Sequence, residues 1–143
     1  MNIELTNVSR SFGRNKAVDG VSLEAGPGVL GLLGPNGAGK TSLLRMLATV
    51  LPPSSGEIRL LERDPGRTAD RREIRRRLGY LPQNAGYYPG FTVAEFVEYF
   101  ALLKEVPSAR IRVAIATAID RVGLGDRRKS RLQIGRASCR ERV

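Results

Sequence analysis

The chain has 143 residues, of which 41% are hydrophobic, and this is enough for one domain with its own core. A single cysteine and the absence of histidine exclude a disulfide network within the chain and a Ser-His-Asp hydrolase, and they argue against a zinc site. Many of the basic residues that give the net charge of +10 lie between residues 63 and 77, and no aromatic residue is interleaved among them. We therefore interpret this segment as a solvated helix face, with a nucleic-acid surface as the alternative.

The first predicted elements are strands. Alternating apolar and polar residues predict strands at 3–5 and 21–24, and a short apolar run predicts a buried strand at 29–33. Residues 42–50 carry apolar side chains at helical spacing, and the prolines at 52–53 end that helix. The predicted buried face of the helix comprises Leu43, Leu44, Leu47 and Val50.

The middle of the chain predicts two further strands around a basic helix. The strands are expected at 57–61 and 78–81, and the helix at 70–77. From Thr92 onward the pattern becomes helical, because Thr92 and Glu95 have the spacing of a capping box. This helix is expected to run to about residue 104. Ser108 is expected to cap a second helix that stops near Gly123.

A complete phosphate-loop motif, G-x-x-x-x-G-K-[ST], occupies residues 34–41, between the predicted strand 29–33 and the helix that follows. Glycines let backbone N–H groups turn toward phosphate oxygens, and the helix directs its positive end at the same anion. Lys40 is expected to reach the β- and γ-phosphates, and the Thr41 hydroxyl to bind Mg²⁺. The predicted nucleotide-binding residues of this segment are Gly34, Pro35, Asn36, Gly37, Ala38, Gly39, Lys40, Thr41 and Ser42.

Other segments around the loop narrow the family. They are Leu-Leu before the loop at 32–33, Pro-Ser-Ser-Gly-Glu-Ile at 53–58, Tyr-Leu-Pro-Gln at 80–83, and Ser-Phe-Gly at 11–13 with Ala-Val at 17–18. Together with the phosphate loop, this succession resembles the ATP-binding subunit of an ABC transporter. The resemblance covers residue 1 to about residue 132.

The resemblance implies an α/β P-loop NTPase core, incomplete in this chain, with the start of an α-helical subdomain. Residues 1–84 would form the nucleotide-binding part and 85–132 the start of the helical subdomain. Phe12 would stack on adenine, with an ordinary core phenylalanine as the alternative. Lys40 and Gln83 would be the catalytic residues. Gln83 would join Thr41 at the metal and face the membrane partner, unless it is merely a surface glutamine.

Several parts that the family uses are missing from the sequence. After residue 132 the resemblance implies a Leu-Ser-Gly-Gly-Gln signature, an Asp-Glu strand end and a switch histidine, and none of them is present. Residues 133–143 back-translate to DNA that resembles a short-read sequencing adaptor, so we interpret them as an artefactual tail. The chain is therefore expected to bind ATP with Mg²⁺ but not to hydrolyse it.

The resemblance implies a protein that couples MgATP binding and hydrolysis to transport. Its expected partners are an integral-membrane transporter subunit and a second ATP-binding subunit in a head-to-tail dimer, with no nucleic acid. It is expected to be cytoplasmic and peripheral on the inner face of the plasma membrane, and residues 88–96 look most like exporters. The alternatives are a soluble ABC-type ATPase of translation or DNA repair and, less favoured because of Gln83 and Phe12, a P-loop kinase of small molecules.

Overall fold

The structure is a computed structural model that describes residues 2–83, 86 and 88–132. The chain divides into two units, Met1–Tyr80 and Leu81–Val143, and residues 133–143, with the predicted artefactual tail, lie outside the described part. The elements in chain order are β1 (Ile3–Phe12), β2 (Asn15–Ala25), α1 (Lys40–Leu47), β3 (Ser55–Leu60), α2 (Thr68–Arg77), α3 (Val93–Leu103), α4 (Ser108–Arg121) and a 3₁₀ turn (Gly125–Arg127).

The first unit is built on an antiparallel sheet in the order β2-β1-β3, with β1 in the centre. β1 and β2 form a hairpin in which Phe12 pairs with Asn15. The predicted strands at 3–5 and 21–24 are confirmed but run several residues further. Register shifts interrupt the β1–β2 ladder at three places. Because each shift changes which residues face the core, strict alternation in the sequence ends before the strand does.

One face of this sheet is covered by α1 and α2. α2 contributes the fully buried Ile74, and α1 contributes Leu43 and Met46, which is only 1% exposed. The prediction that Leu44 and Val50 belong to the buried face was wrong, since they are 48% and 56% exposed. α1 ends at Leu47, so Val50 lies beyond the helix. The buried cluster of this unit comprises Leu5, Val8, Val18, Leu43, Met46, Ile58, Leu60 and Ile74.

Two predicted strands are not formed. Residues 29–33 and 78–81 have no strand conformation, and Val29, Leu33 and Leu81 are almost fully exposed. A strand of this apolar kind is stable only when neighbouring strands satisfy its backbone and cover both of its faces. Among the residues that the structure describes, no strand pairs with either segment. The predictions of a buried strand at 29–33 and of a strand at 78–81 are therefore wrong for this chain.

The second unit contains α3 and α4, and its best-defined local feature is the start of α3. The Thr92 hydroxyl accepts a hydrogen bond from the Glu95 N–H at 3.2 Å, and the Glu95 carboxylate accepts one from the Thr92 N–H at 2.7 Å. The predicted capping box is therefore confirmed. No helix within residues 2–83, 86 and 88–132 combines the length and the apolar character that crossing a bilayer requires.

The ends of α4 agree only partly with the prediction. Its N-cap is Pro107, and no side chain caps it, so Ser108 is the first helical residue and not the cap. The predicted stop at Gly123 is confirmed: α4 ends at Arg121, and Gly123 adopts a φ of 68°. That left-handed conformation terminates a helix at little cost only when the residue is glycine.

Candidate nucleotide-binding site

The phosphate loop is shaped by three glycines with positive φ. Gly34, Gly37 and Gly39 have φ values of 151°, 85° and 81°, which other L-residues rarely adopt. Between them the Ala38 N–H donates to the Pro35 carbonyl at 3.3 Å and closes a turn. The loop conformation therefore depends on the glycine positions that the motif prescribes.

Gly39 also brings the loop into contact with β2. A Cβ atom at this position would lie 2.0 Å from the Ala17 carbonyl oxygen and 3.2 Å from Cγ2 of Val18, so only glycine allows the approach. Gly39 is the N-cap of α1, and its carbonyl accepts the first helical hydrogen bond, from Leu43 N–H, at 2.9 Å. The positive end of the α1 dipole is thereby placed at the loop.

The Lys40 side chain is held by hydrogen bonds to the phosphate loop. Its Nζ donates to the carbonyl oxygens of Gly34 and Pro35, both at 2.6 Å. An ammonium group has three donor hydrogens, so one remains for an anion at the mouth of the loop. Thr41, next in the first turn of α1, is exposed, and its hydroxyl is accessible to a ligand from solvent.

A cavity of about 490 Å³ lies between β2 and the phosphate loop. Residues 37–40 supply one wall, and Leu32 and Val21 contribute apolar surface. Lys16 and Asp19 of β2 also line it, and their side chains form an ion pair at 2.7 Å. The mixture of apolar walls, backbone N–H groups and cations is typical of a site for an anionic small molecule.

Phe12 ends β1 at the tip of the hairpin, and 47% of it is exposed. This exposure excludes the alternative that Phe12 is a core residue. Its partner Asn15 lies two residues before Ala17, whose carbonyl contacts Gly39. The β1–β2 hairpin therefore carries the ring and also contacts the phosphate loop.

The C-terminal end of α1 is anchored at Thr49 by Arg75 of α2, which was not predicted as a site residue from the sequence. Thr49 has a φ of 59°, an unfavourable conformation for a β-branched residue. Arg75 of α2 donates from Nε to the Thr49 hydroxyl at 2.8 Å and from a terminal nitrogen to the Thr49 carbonyl at 2.7 Å. These two bonds hold the end of the helix that follows the phosphate loop.

Gln83 is exposed and lies in the second unit. The predicted strand that was to present it, at 78–81, is not formed. Its role at the metal and toward a membrane partner stays a prediction. Within the described part of the chain, no group of three or more acidic or cysteine side chains is arranged to hold a metal ion.

Three further residues near the site, Arg10, Lys16 and Asp19, were not predicted from the sequence. A usable signal existed for Arg10, because residues two apart on a strand point to the same face, and Arg10 precedes Phe12 by two. The guanidinium carbon of Arg10 lies 4.8 Å from the centroid of the Phe12 ring. Lys16 and Asp19 carried no comparable signal, because they line the cavity only through the packing of β2 against the loop.

Comparison with curated proteins gives relatives whose names include both export and import. The chain is 37% identical, over 99% of its length, to the daunorubicin/doxorubicin resistance ATP-binding protein DrrA of Streptomyces peucetius. It is 40% identical over 82% of its length to the Nod factor export ATP-binding protein I of Paraburkholderia xenovorans. It is 36% identical over its whole length to the sulfate/thiosulfate import ATP-binding protein CysA of Thermosynechococcus vestitus. The chain spans 42%, 38% and 42% of these relatives.

Comparison with solved structures identifies the fold. A structure of the ATP-binding subunit of an ABC transporter superposes with a TM-score of 0.73 at 19% identity, covering 92% of this chain and 54% of that one. This superposition confirms the predicted α/β fold, and its P-loop NTPase type rests also on the family match that follows. The family model described as ABC transporter matches residues 18–139. On this match, and on relatives that are more than 30% identical over nearly its whole length, the chain belongs to the ABC transporter family.

Proposed function

We propose that this chain is the front part of a transporter's ATP-binding subunit and binds MgATP through residues 34–42. The observation that carries the proposal is the geometry of the phosphate loop. Its three glycines have positive φ, Gly39 lies against Ala17, and the Lys40 ammonium lies at the loop beside the start of α1. The residues fit the ligand, because backbone N–H groups, an ammonium and a helix N-terminus are the partners that phosphate oxygens require.

Each residue has a definite proposed task. Lys40 and the N–H groups of the loop would neutralise charge on the phosphate oxygens. Thr41 would give its hydroxyl to Mg²⁺. The ion would be held by the Thr41 hydroxyl and by phosphate oxygens, and the role of Gln83 at the metal stays a prediction. In the complete protein, bound MgATP would supply the phosphoryl group whose transfer to water provides the free energy for transport.

The partners and location follow the same proposal. The complete protein would dimerise head to tail with a second ATP-binding subunit and act on an integral-membrane subunit from the inner face of the plasma membrane, in the cytoplasm. The relatives bear the names of transport proteins, so a soluble ATPase of translation or DNA repair is not favoured. Those names include both export and import, and the exporter assignment stays a prediction that rests on residues 88–96.

Nucleic acid is not part of the proposal, and the ion pairs of the basic segment support this. Arg63 pairs with Asp70 at 3.0 Å, Arg67 with Asp64 at 3.7 Å, and Arg76 with Glu73 at 2.6 Å. Local carboxylates therefore offset part of the positive charge, which leaves fewer cations for the phosphate contacts that dominate nucleic-acid affinity.

Nucleotide-dependent stabilisation tests the proposal. MgATP at 100 times its dissociation constant should raise the free energy of unfolding by about 2.7 kcal/mol. Lys40→Ala should remove most of this gain and leave the melting temperature without nucleotide nearly unchanged, because the described hydrogen bonds of the Lys40 ammonium go to its own loop. Lys129→Ala, at an exposed lysine of the second unit, is the control and should behave like the parent chain. An equal gain in Lys40→Ala and in the parent chain would contradict the assignment.

A further inference from the structure

Arg10 lies against the aromatic ring that ends β1. The two residues share one face of the strand, and the Arg10 guanidinium carbon is 4.8 Å from the centroid of the Phe12 ring. This distance is within the range of a cation–π contact. Since 47% of Phe12 remains exposed, the contact covers part of the ring and leaves the rest accessible.

The guanidinium is fixed at a second point. One terminal nitrogen of Arg10 donates to the Pro52 carbonyl at 2.9 Å, in the segment that connects α1 to β3. The Ser11 N–H donates to the Ser54 hydroxyl at 3.1 Å, and the Ser54 N–H donates to the Ser9 carbonyl at 2.8 Å. The end of β1 is thus tied to the segment that follows the phosphate-loop helix.

The Nε atom of Arg10 shows that this placement has a cost. It is buried and has no hydrogen-bond partner among the described residues, which is unfavourable for a cationic N–H group. A flexible surface arginine avoids this cost by extending into water. The aromatic face and the Pro52 carbonyl are the contacts that compensate for it.

We propose that Arg10 is a positioning residue that holds the Phe12 ring as a platform for the nucleotide base. The guanidinium contacts the ring from one side and is anchored at Pro52, so a purine can stack only on the open surface. The inference rests on the proposed function, because it assumes that Phe12 contacts the base. Arg10 itself touches neither the base nor the phosphates in this assignment.

Because Arg10 acts only through stacking, its removal should affect ligands that have a base and spare those that lack one. Binding of ATP and of inorganic tripolyphosphate, both with Mg²⁺, is measured by titration calorimetry for the parent chain, Arg10→Met, Phe12→Ala and the double variant. Methionine keeps an apolar side chain of similar length but removes the charge and the hydrogen bond. Arg59→Met, at an exposed arginine of β3, is the matched control.

Arg10→Met should weaken ATP binding about 3- to 10-fold, the scale of one cation–π contact, and leave tripolyphosphate binding unchanged within twofold. In the Phe12→Ala background it should have no further effect on ATP. Arg59→Met should change neither affinity. Two results would overturn the role of Arg10 and leave the proposed base contact of Phe12 intact. One is that Arg10→Met weakens the binding of ATP and of tripolyphosphate equally. The other is that Arg10→Met does not weaken ATP binding while Phe12→Ala does. If Phe12→Ala itself does not discriminate ATP from tripolyphosphate, the proposed base contact fails, and the inference fails with it.

Discussion

The glycines of the phosphate loop are required for different physical reasons, although all three have positive φ. A Cβ on Gly37 would meet nothing within 4 Å, whereas one on Gly39 would overlap the backbone of Ala17. Gly37 is therefore required by conformation alone. Gly39 is required by conformation and by the contact that holds β2 against the loop.

Substitution at these two positions should separate the effects. Gly39→Ala should lower the free energy of unfolding well beyond the 1–2 kcal/mol or so that left-handed conformation costs an L-residue, because backbone must also move. Gly37→Ala is the matched control and should lose only about that conformational amount. Chemical denaturation without nucleotide measures both. Equal losses would show that the close approach to Ala17 contributes nothing to stability.

At the scale of the elements, α3 begins with a complete capping box. Thr92 and Glu95 satisfy each other's backbone N–H groups, and these bonds from the Thr92 backbone and side chain lower the pKa of Glu95. A carboxylate whose pKa is lower in the folded than in the unfolded state contributes stability above the unfolded pKa. That contribution disappears as the pH falls through the folded value.

The capping box should therefore respond both to mutation and to acid. Thr92→Ala should destabilise the helical unit by about 0.5–2 kcal/mol at neutral pH, the usual cost of losing an N-cap. Part of the stability should also be lost in the parent chain as the pH falls below the unfolded pKa of Glu95 and through its lower folded pKa. Glu95→Gln should lack that part of the acid response. Helicity followed by circular dichroism against temperature and pH checks both expectations, and an identical acid response in Glu95→Gln would contradict the second.

At the scale of the whole molecule, the chain leaves several apolar side chains in solvent. Val29 and Leu33, directly before the phosphate loop, are almost fully exposed, and so is Leu81 in the second unit. Exposed apolar surface of this kind favours association between chains. The chain also spans only about two fifths of its curated relatives, and its sequence lacks the signature, the Asp-Glu strand end and the histidine that the family resemblance implies.

We expect the purified chain to bind MgATP without turning it over. Hydrolysis needs a group that orients water as well as donors for the developing charge, and the sequence lacks the Asp-Glu strand end and the switch histidine that the family resemblance implies. Catalytic groups that act as a unit are strongly non-additive, so the loss of several should leave only background. Steady-state phosphate release by the monomeric fraction, with Lys40→Ala as the blank, measures this. Turnover of about one per second or more, a typical enzymatic rate, would contradict the expectation.

Several features could be predicted from the sequence because their contacts are local. The phosphate loop combines its glycines, Lys40 and the start of α1 within a few residues, so its conformation can be predicted from the motif. The capping box joins residues three apart, and Gly123 ends α4 through its own backbone conformation. The family assignment likewise followed from short segments in a fixed order.

Only the tertiary structure decided the features that join distant parts of the chain. Arg10 reaches Pro52 across 42 residues, and Arg75 reaches Thr49 across 26. Val29 and Leu33 could not be recognised as exposed, because burial depends on which strands lie beside them and not on their own composition. The sequence by itself determined which residues we propose to bind phosphate, since the motif that names them lies within a few consecutive residues. Packing decided which side chains surround the loop, since contacts between distant segments exist only once the chain has folded.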